Sequence, residues 1–102
     1  MESFGFEIRF AKRDLMRFIS HLDLLRIFNR AARRAGLPLK FSEGFNPHAK
    51  IKIEPAVKLG IEFDGLRATL ILKEKMGSGK LRTKIEKQLP KGIIIESISC
   101  RP

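Results

Sequence analysis

Apolar and polar residues alternate in several short segments, and this period of two predicts β-strands with one buried face. In residues 4–11, Phe or Ile stands at every second position. Residues 50–54 alternate Ile with charged residues, and Pro55 ends that strand. Residues 66–75 place three apolar side chains on one face of a third strand: Ala68, Leu70 and Leu72. The Ile-rich residues 93–99 predict a fourth strand.

A period near 3.6 residues predicts two helices. The first begins at Ser20, which together with Asp23 resembles a capping box, and Gly36 followed by Pro38 ends it. Its apolar side chains share one face: Leu24, Leu25, Ile27, Phe28, Ala31, Ala32 and Ala35. The second helix, residues 80–89, has only a thin apolar stripe of Leu81, Ile85 and Leu89.

The remaining segments connect these elements. Residues 15–19 are apolar but too few to classify, and they either extend the first strand or form a turn. Residues 42–48 are rich in turn-forming residues and predict a loop. The order strand, helix, strand, strand, helix, strand predicts an α+β ferredoxin-like sandwich, an antiparallel sheet with two helices on one face. We expect residues 1–102 to form a single domain.

Composition narrows the class of protein. The chain has 102 residues, is 43% apolar and carries a net charge of +10. No apolar run reaches the length of a membrane span and the first residues do not form a secretory signal, so we expect a cytoplasmic domain. The single cysteine, Cys100, excludes an internal disulfide and a multi-cysteine metal site, and we expect it to be buried. The positive charge favours a polyanionic partner.

Basic side chains are concentrated on the polar faces of both predicted helices. Arginines separated by three, four, seven and eight positions line up along one side of a helix, where guanidinium groups can meet phosphates. The alternative is an ordinary solvated helix face. We predict nucleic-acid contact by eight residues: Arg26, Arg30, Arg33, Arg34, Lys80, Arg82, Lys84 and Lys87. Tyr and Trp are absent, and the Phe residues of the first strand are expected in the core, so the sheet offers no aromatic RNA-binding surface.

Polar residues cluster at the start of the first helix and in the loop at 42–48. Two histidines, His21 and His48, with the carboxylate of Asp23 suggest a metal site or acid–base chemistry on a phosphodiester. Capping by Ser20 and Asp23 and ordinary turn chemistry at Asn46 explain the same residues. We favour the structural explanation and predict no catalytic residue, metal or cofactor.

Three segments, residues 17–24, 30–38 and 42–48, resemble the signature of a bacterial domain of unknown function that occurs as the radical-SAM-linked domain. The motif of that family falls here on Ser20, His21, Asp23, Gly44, Phe45, Asn46, Pro47 and His48, whose role in the family is unknown. The resemblance implies fusion to B12-type radical SAM proteins or encoding beside ribonuclease G. The family domain is about twice as long, so we expect this chain to be its N-terminal half.

We therefore predict a non-catalytic accessory module that binds RNA or docks substrate for an RNA-modifying or RNA-processing partner, with a radical SAM protein or ribonuclease G as possible protein partner. One alternative is a protein-interaction module that docks on a radical SAM core or a nuclease, with Phe45 as its anchor. A second alternative is a small phosphodiesterase that uses His21 and His48. The oligomeric state stays open.

Overall fold

The computed structural model describes residues 3–101 and contains a four-stranded sheet in the order β2-β3-β1-β4. All neighbouring strands are antiparallel. This order of strands, with a helix after β1 and another after β3, confirms the predicted ferredoxin-like arrangement. The elements are β1 (Phe4–Lys12), a 3₁₀ helix (Asp14–Phe18), α1 (His21–Arg34), β2 (Ile51–Glu54), β3 (Phe63–Leu72), α2 (Ser78–Glu86) and β4 (Ile93–Arg101).

The core lies between the two helices and one face of the sheet. Every second residue of the central strands is buried there, as the alternating pattern predicts: Phe6, Ile8, Phe10, Leu66, Ala68, Leu70 and Leu72. From α1, Phe28 packs on Phe10 with ring centroids 4.7 Å apart. From α2, Leu81 and Ile85 enter the same core. Both helices therefore cover one side of the sheet and leave the other side open.

Helix α1 forms as the sequence predicts. Ser20 is its N-cap, and the Ser20 Oγ accepts a hydrogen bond of 3.1 Å from the backbone amide of Asp23. At the other end, Gly36 adopts a φ of +70°, which glycine tolerates without steric cost, and Leu37 N donates to the Ala32 carbonyl. The apolar face is directed inward and Leu22 stays exposed on the polar side.

Several local expectations differ from the structure, and the bounds of β1, β2 and β4 differ by one or two residues. Residues 14–18 form a short 3₁₀ helix rather than a strand extension or a plain turn. Strand β3 begins and ends three residues earlier than predicted, because its last residue, Leu72, pairs with the first residue of β1, Phe4, and no partner strand lies beyond in the described part of the chain. Helix α2 begins at Ser78 and ends at Glu86, earlier than predicted at both ends.

Cys100 is exposed, and the expectation that it is buried is wrong. It lies near the end of the edge strand β4, opposite Phe6. The helices cover the beginning of β4, where Ile93 and Ile95 are buried, but not its last residues. Within residues 3–101, no helix combines the length and the apolar content that crossing a membrane requires.

Candidate nucleic-acid interface

The solvent-facing side of α1, of α2 and of residues 87–91 carries nearly all of its charge with one sign. We call this the helix-layer surface. It contains two carboxylates, Asp23 and Glu86. It contains nine basic side chains, none of them buried: Arg26, Arg30, Arg33, Arg34, Lys80, Arg82, Lys84, Lys87 and Lys91. The eight residues predicted to contact nucleic acid all belong to this surface, so the fold places them on one side of the molecule.

The arginines of α1 differ in what they contact. Arg26 forms an ion pair with Asp23, with 3.2 Å between Nη1 and Oδ1. Arg33 donates from Nε to Asn29 Oδ1 at 2.7 Å, and its guanidinium carbon lies 5.6 Å from the centre of the Phe41 ring. Arg30 and Arg34 have no ion-pair partner in the described part of the chain. These two guanidinium groups therefore keep their donors free for an external anion.

A shallow depression of about 400 Å³ runs along α1 and is lined by Asn29 and the four arginines. A second depression, of about 390 Å³, adjoins it because both are lined by Arg30 and Arg34; it extends to Gln88, Leu89 and Pro90 after α2. Four arginines between positions 26 and 34 span about 12 Å of helix axis, since each residue advances an α-helix by about 1.5 Å. Cationic donors therefore follow an extended path rather than a single point.

In α2, one basic residue contacts the sheet. Arg82 donates from Nη2 to the carbonyl of Ile95 in β4 at 3.0 Å, and its Nε lies 3.6 Å from Glu86 Oε2. Its charge is partly neutralised and its side chain fixes α2 to the sheet. Lys80, Lys84 and Lys87 form no ion pair with any residue between 3 and 101. Of the four α2-region residues predicted to bind nucleic acid, the lysines are thus the freer group.

The open sheet face, formed by the strand side chains that point away from the helices, has mixed charge. Its four basic side chains, Arg9, Lys52, Arg67 and Arg101, alternate with the carboxylates Glu7 and Glu54 and with short polar residues. Lys52 and Glu54 form an ion pair of 3.4 Å. Arg101 passes over Gly5, which has no side chain to block it, and donates from Nη1 to Thr69 Oγ1 at 3.3 Å.

The family-motif loop, residues 42–48, emerges beside the helix-layer surface. Its two ends are joined by hydrogen bonds from Ser42 N to the His48 carbonyl, 2.7 Å, and from His48 N to Ser42 Oγ, 3.0 Å. Gly44 adopts a φ of +124°, which favours glycine. The Phe45 side chain is fully solvent-exposed. The loop position of this residue was predictable from its turn-forming neighbours, but its complete exposure was not.

The two motif histidines have different surroundings. His48 is exposed and lines a depression of about 320 Å³ with Leu22, Arg26 and Asn29 of α1, whereas His21 is half-buried and does not line it. Among the described residues, no group of three His, Cys, Asp or Glu side chains is placed to hold a metal ion. Ser20 acts as the predicted cap. The motif thus combines a helix start with a loop whose last residue, His48, lies beside that helix.

Lys12 is a basic residue outside both surfaces, and it was not singled out from the sequence. It ends β1 between Phe63 and Ile93 and is only 2% exposed. Burial lowers the pKa of its amine from the ordinary value of 10.5. The spacing of two in β1 continues from Phe6, Ile8 and Phe10 to Lys12 and places it on the core face. The predicted strand ended before the polar residues 12–14, and this burial was therefore missed.

The fold and these surfaces define an α+β domain of ferredoxin-like topology with a cationic helix layer. Residues 6–102 match the family described as "Uncharacterized protein conserved in bacteria (DUF2344)", and the chain belongs to this family. No curated protein and no solved structure matches it. The family description names no activity, cofactor or partner. The radical SAM association and the position as an N-terminal half, both implied by the resemblance, therefore stay predictions.

Proposed function

We propose that this domain is a non-catalytic RNA-binding module that holds RNA on its helix-layer surface for a modifying or processing partner. The observation that carries the proposal is the charge of that surface, nine basic side chains against two carboxylates. A solvated helix face normally mixes both signs, and like charges at helical spacing destabilise a helix by a few tenths of a kcal/mol per pair. A polyanion lying on the surface would remove that repulsion.

Arg30 and Arg34 are the centre of the proposed contact. They lie one helical turn apart, are exposed, and have no ion-pair partner in the part of the chain that the structure describes. A guanidinium group binds a phosphate through two parallel hydrogen bonds, and such charge-assisted bonds are about twice as strong as neutral ones. Lys80, Lys84 and Lys87 would supply weaker, less directional phosphate contacts.

RNA is chosen over DNA because of the resemblance to a domain encoded beside ribonuclease G. That resemblance also suggests the partner, a radical SAM protein or the nuclease itself. Phosphate contacts alone do not distinguish RNA from DNA, whereas contacts to the 2′-hydroxyl do. A DNA strand of the same sequence is therefore part of the test, and equal affinity for both would contradict the choice of RNA.

Fluorescence anisotropy of a labelled short RNA, measured between about 50 and 200 mM salt, tests the proposal. The double variant Arg30→Ala/Arg34→Ala should lose at least about tenfold in affinity, because each charge-assisted hydrogen bond contributes about 1.5–3 kcal/mol. Its salt dependence should flatten by about 0.7 in log–log slope per lost phosphate contact on a single strand. Alanine keeps the helix intact because its helix propensity is the highest.

The matched control is Arg9→Ala/Arg67→Ala, which removes the same charge from the open sheet face. These two arginines are Cα partners on β1 and β3. This control should bind RNA as the wild type does, apart from a small uniform effect of net charge. An equal loss in both double variants would show that net charge alone drives binding, and the proposed surface would then be rejected.

The two alternative functions stay predictions. Exposed Leu15 and Phe18 on the 3₁₀ helix favour the protein-docking alternative, since exposed apolar side chains concentrate at interfaces. The phosphodiesterase alternative requires His21 and His48 to act together, and only His48 faces the depression next to α1. Incubating the labelled RNA with wild type and His48→Ala tests it directly, because cleavage that the variant loses would replace the proposal of a non-catalytic role.

A further inference from the structure

The Phe45 side chain has a relative exposure of 103%, the highest among the exposed large hydrophobic residues. Aromatic side chains usually bury their area, and one held fully in water at the tip of a loop contributes nothing to the core. The other aromatic residue at this site, Phe41, is partly covered and lies against Arg33. The exposure of Phe45 leaves both faces of its ring available to a binding partner.

The loop that presents Phe45 has a built base. The isolated bridge between Phe41 and Ala49 and the two Ser42–His48 hydrogen bonds close it, so only residues 43–47 form the tip. Below that bridge, Lys40 N donates to the Ile71 carbonyl of β3, and Lys50 N donates to the Lys40 carbonyl. The base of the loop is thus hydrogen-bonded to β3 at both ends, since Ile71 N also donates to the Lys50 carbonyl.

Both ends of the loop also reach α1. At the start, the Phe41 ring lies 5.6 Å from the Arg33 guanidinium carbon. At the end, His48 shares a depression with Arg26 and Asn29, and these two residues also line the depression that holds Arg30 and Arg34. The loop that presents Phe45 therefore has both of its ends beside the row of arginines.

We infer that Phe45 stacks on an unpaired base of a single-stranded RNA whose phosphates lie along the arginines of α1. This inference rests on the proposed RNA-binding function and adds the class of RNA. A cationic groove for the backbone combined with an aromatic ring for the base is the arrangement by which proteins bind single strands. In a duplex the faces of the bases are already stacked on each other, so an aromatic residue at a loop tip can reach only an unpaired base.

The charge near Phe45 is consistent with contact to a base at Phe45 and to phosphates at the arginines. Glu43, two residues before Phe45, is exposed and repels phosphates. The backbone of the strand is therefore expected on the arginine side of the loop rather than at the tip. A base, which is uncharged and presents a flat π-face, can approach the tip without that repulsion.

Because the chain contains no Trp or Tyr, the fluorescence of a single introduced Trp can be measured without background from other residues. Phe45→Trp places a single fluorophore at the loop tip and keeps an aromatic face for stacking. Adding single-stranded RNA should quench its fluorescence with the same midpoint as the anisotropy titration. The control is Ile94→Trp, which places an exposed fluorophore on β4, at the opposite edge of the sheet from the loop. Its fluorescence should not change.

The affinity measurement uses Phe45→Ala and Phe45→Tyr. Phe45→Ala should lower the affinity for single-stranded RNA about 5- to 100-fold, the range for loss of one stacked base. It should leave the affinity for a fully paired RNA duplex and the urea unfolding curve unchanged. Phe45→Tyr should bind single strands as the wild type does.

The outcomes separate this inference from the proposed function. If Arg30→Ala/Arg34→Ala weakens RNA binding but Phe45→Ala does not, or if the fluorescence of the Phe45→Trp variant ignores RNA, the stacking role is overturned and the arginine surface stands. If Phe45→Ala weakens duplex and single strand equally, the role is also overturned. If the wild type binds no RNA at low salt, both proposals are rejected. A Phe45→Trp variant whose fluorescence responds only to a partner protein would assign the loop to protein contact instead and overturn the inference.

Discussion

The helix-layer surface and the open sheet face differ in their proportions of basic and acidic side chains. On the open face, four basic side chains are interspersed with Glu7, Glu54 and short polar residues. Lys52 pairs with Glu54 of its own strand, and Arg101 donates to the Thr69 hydroxyl on β3. On the helix layer, nine basic side chains share two carboxylates. The two faces therefore differ in their balance of charge, and only the helix layer has a large excess of cations over carboxylates.

The geometry of the elements accounts for part of this difference. On a sheet, a residue meets its cross-strand neighbours, and Arg67 lies between Glu54 on β2 and Arg9 on β1. On an exposed helix, residues three and four apart are neighbours, and Arg26, Arg30, Arg33 and Arg34 all follow that spacing. A single stretch of sequence can therefore build a face of one sign on a helix, whereas the sheet combines residues from distant parts of the chain.

The largest loss of stability is expected from a substitution that detaches α1 from the sheet. Phe28 is fully buried and packs on Phe10, so Phe28→Ala should lower the free energy of unfolding by about 3–5 kcal/mol, as measured by urea denaturation. The arginines would lose their common orientation, and RNA binding should fall with the folded fraction. The control Leu22→Ala, at an exposed position of the same helix, should change stability by less than about 0.5 kcal/mol. Equal effects would mean that α1 is not docked through Phe28.

A smaller effect is expected at Lys12, the cation that belongs to neither surface. Burial lowers its pKa, so the folded state binds fewer protons than the unfolded state between the lowered pKa and 10.5. Stability should therefore rise with pH through that window, relative to Lys12→Met, which lacks the ionisable group. At neutral pH we expect Lys12→Met to gain about 1 kcal/mol or less in urea unfolding.

The matched control for Lys12 is Lys73→Met, because Lys73 is exposed just after β3. It should show the same pH dependence of unfolding as the wild type. If Lys12→Met and the wild type have parallel profiles up to alkaline pH, the amine of Lys12 is not buried as the structure describes.

The smallest change in stability is expected from reversing one charge on each face. This pair of variants also distinguishes the two faces most directly. Arg9→Glu replaces a like-charge pair with Arg67 by an opposite-charge pair, so stability should rise by about 0.2–1 kcal/mol. RNA affinity should stay close to that of the wild type. Arg30→Glu should change stability little and should clearly weaken RNA binding. Thermal unfolding and anisotropy on the same samples check both, and a loss of RNA binding in Arg9→Glu would extend the interface to the open face.

Much of the fold was predictable from the sequence because it depends on local periodicity. Alternation indicated which residues of β1 and β3 are buried, helical spacing indicated the two faces of α1, and Ser20 marked the start of that helix. The sequence also indicated that eight basic residues lie unburied on the two helices or directly after α2, and their contact with nucleic acid stays a prediction. Family membership is confirmed at the level of an uncharacterised bacterial domain, and the radical SAM association stays a prediction.

Other features depended on contacts between distant residues, which a linear pattern does not contain. The bond from Arg82 to the Ile95 carbonyl, the exposure of Cys100 and the burial of Lys12 all follow from which strands end where and what covers them. The full exposure of Phe45 and the packing of its loop beside the arginines belong to the same class. Amino-acid periodicity thus determined the elements and their buried faces, because it acts within one turn or one strand. Only the tertiary structure decided which charges remain free and which surfaces meet.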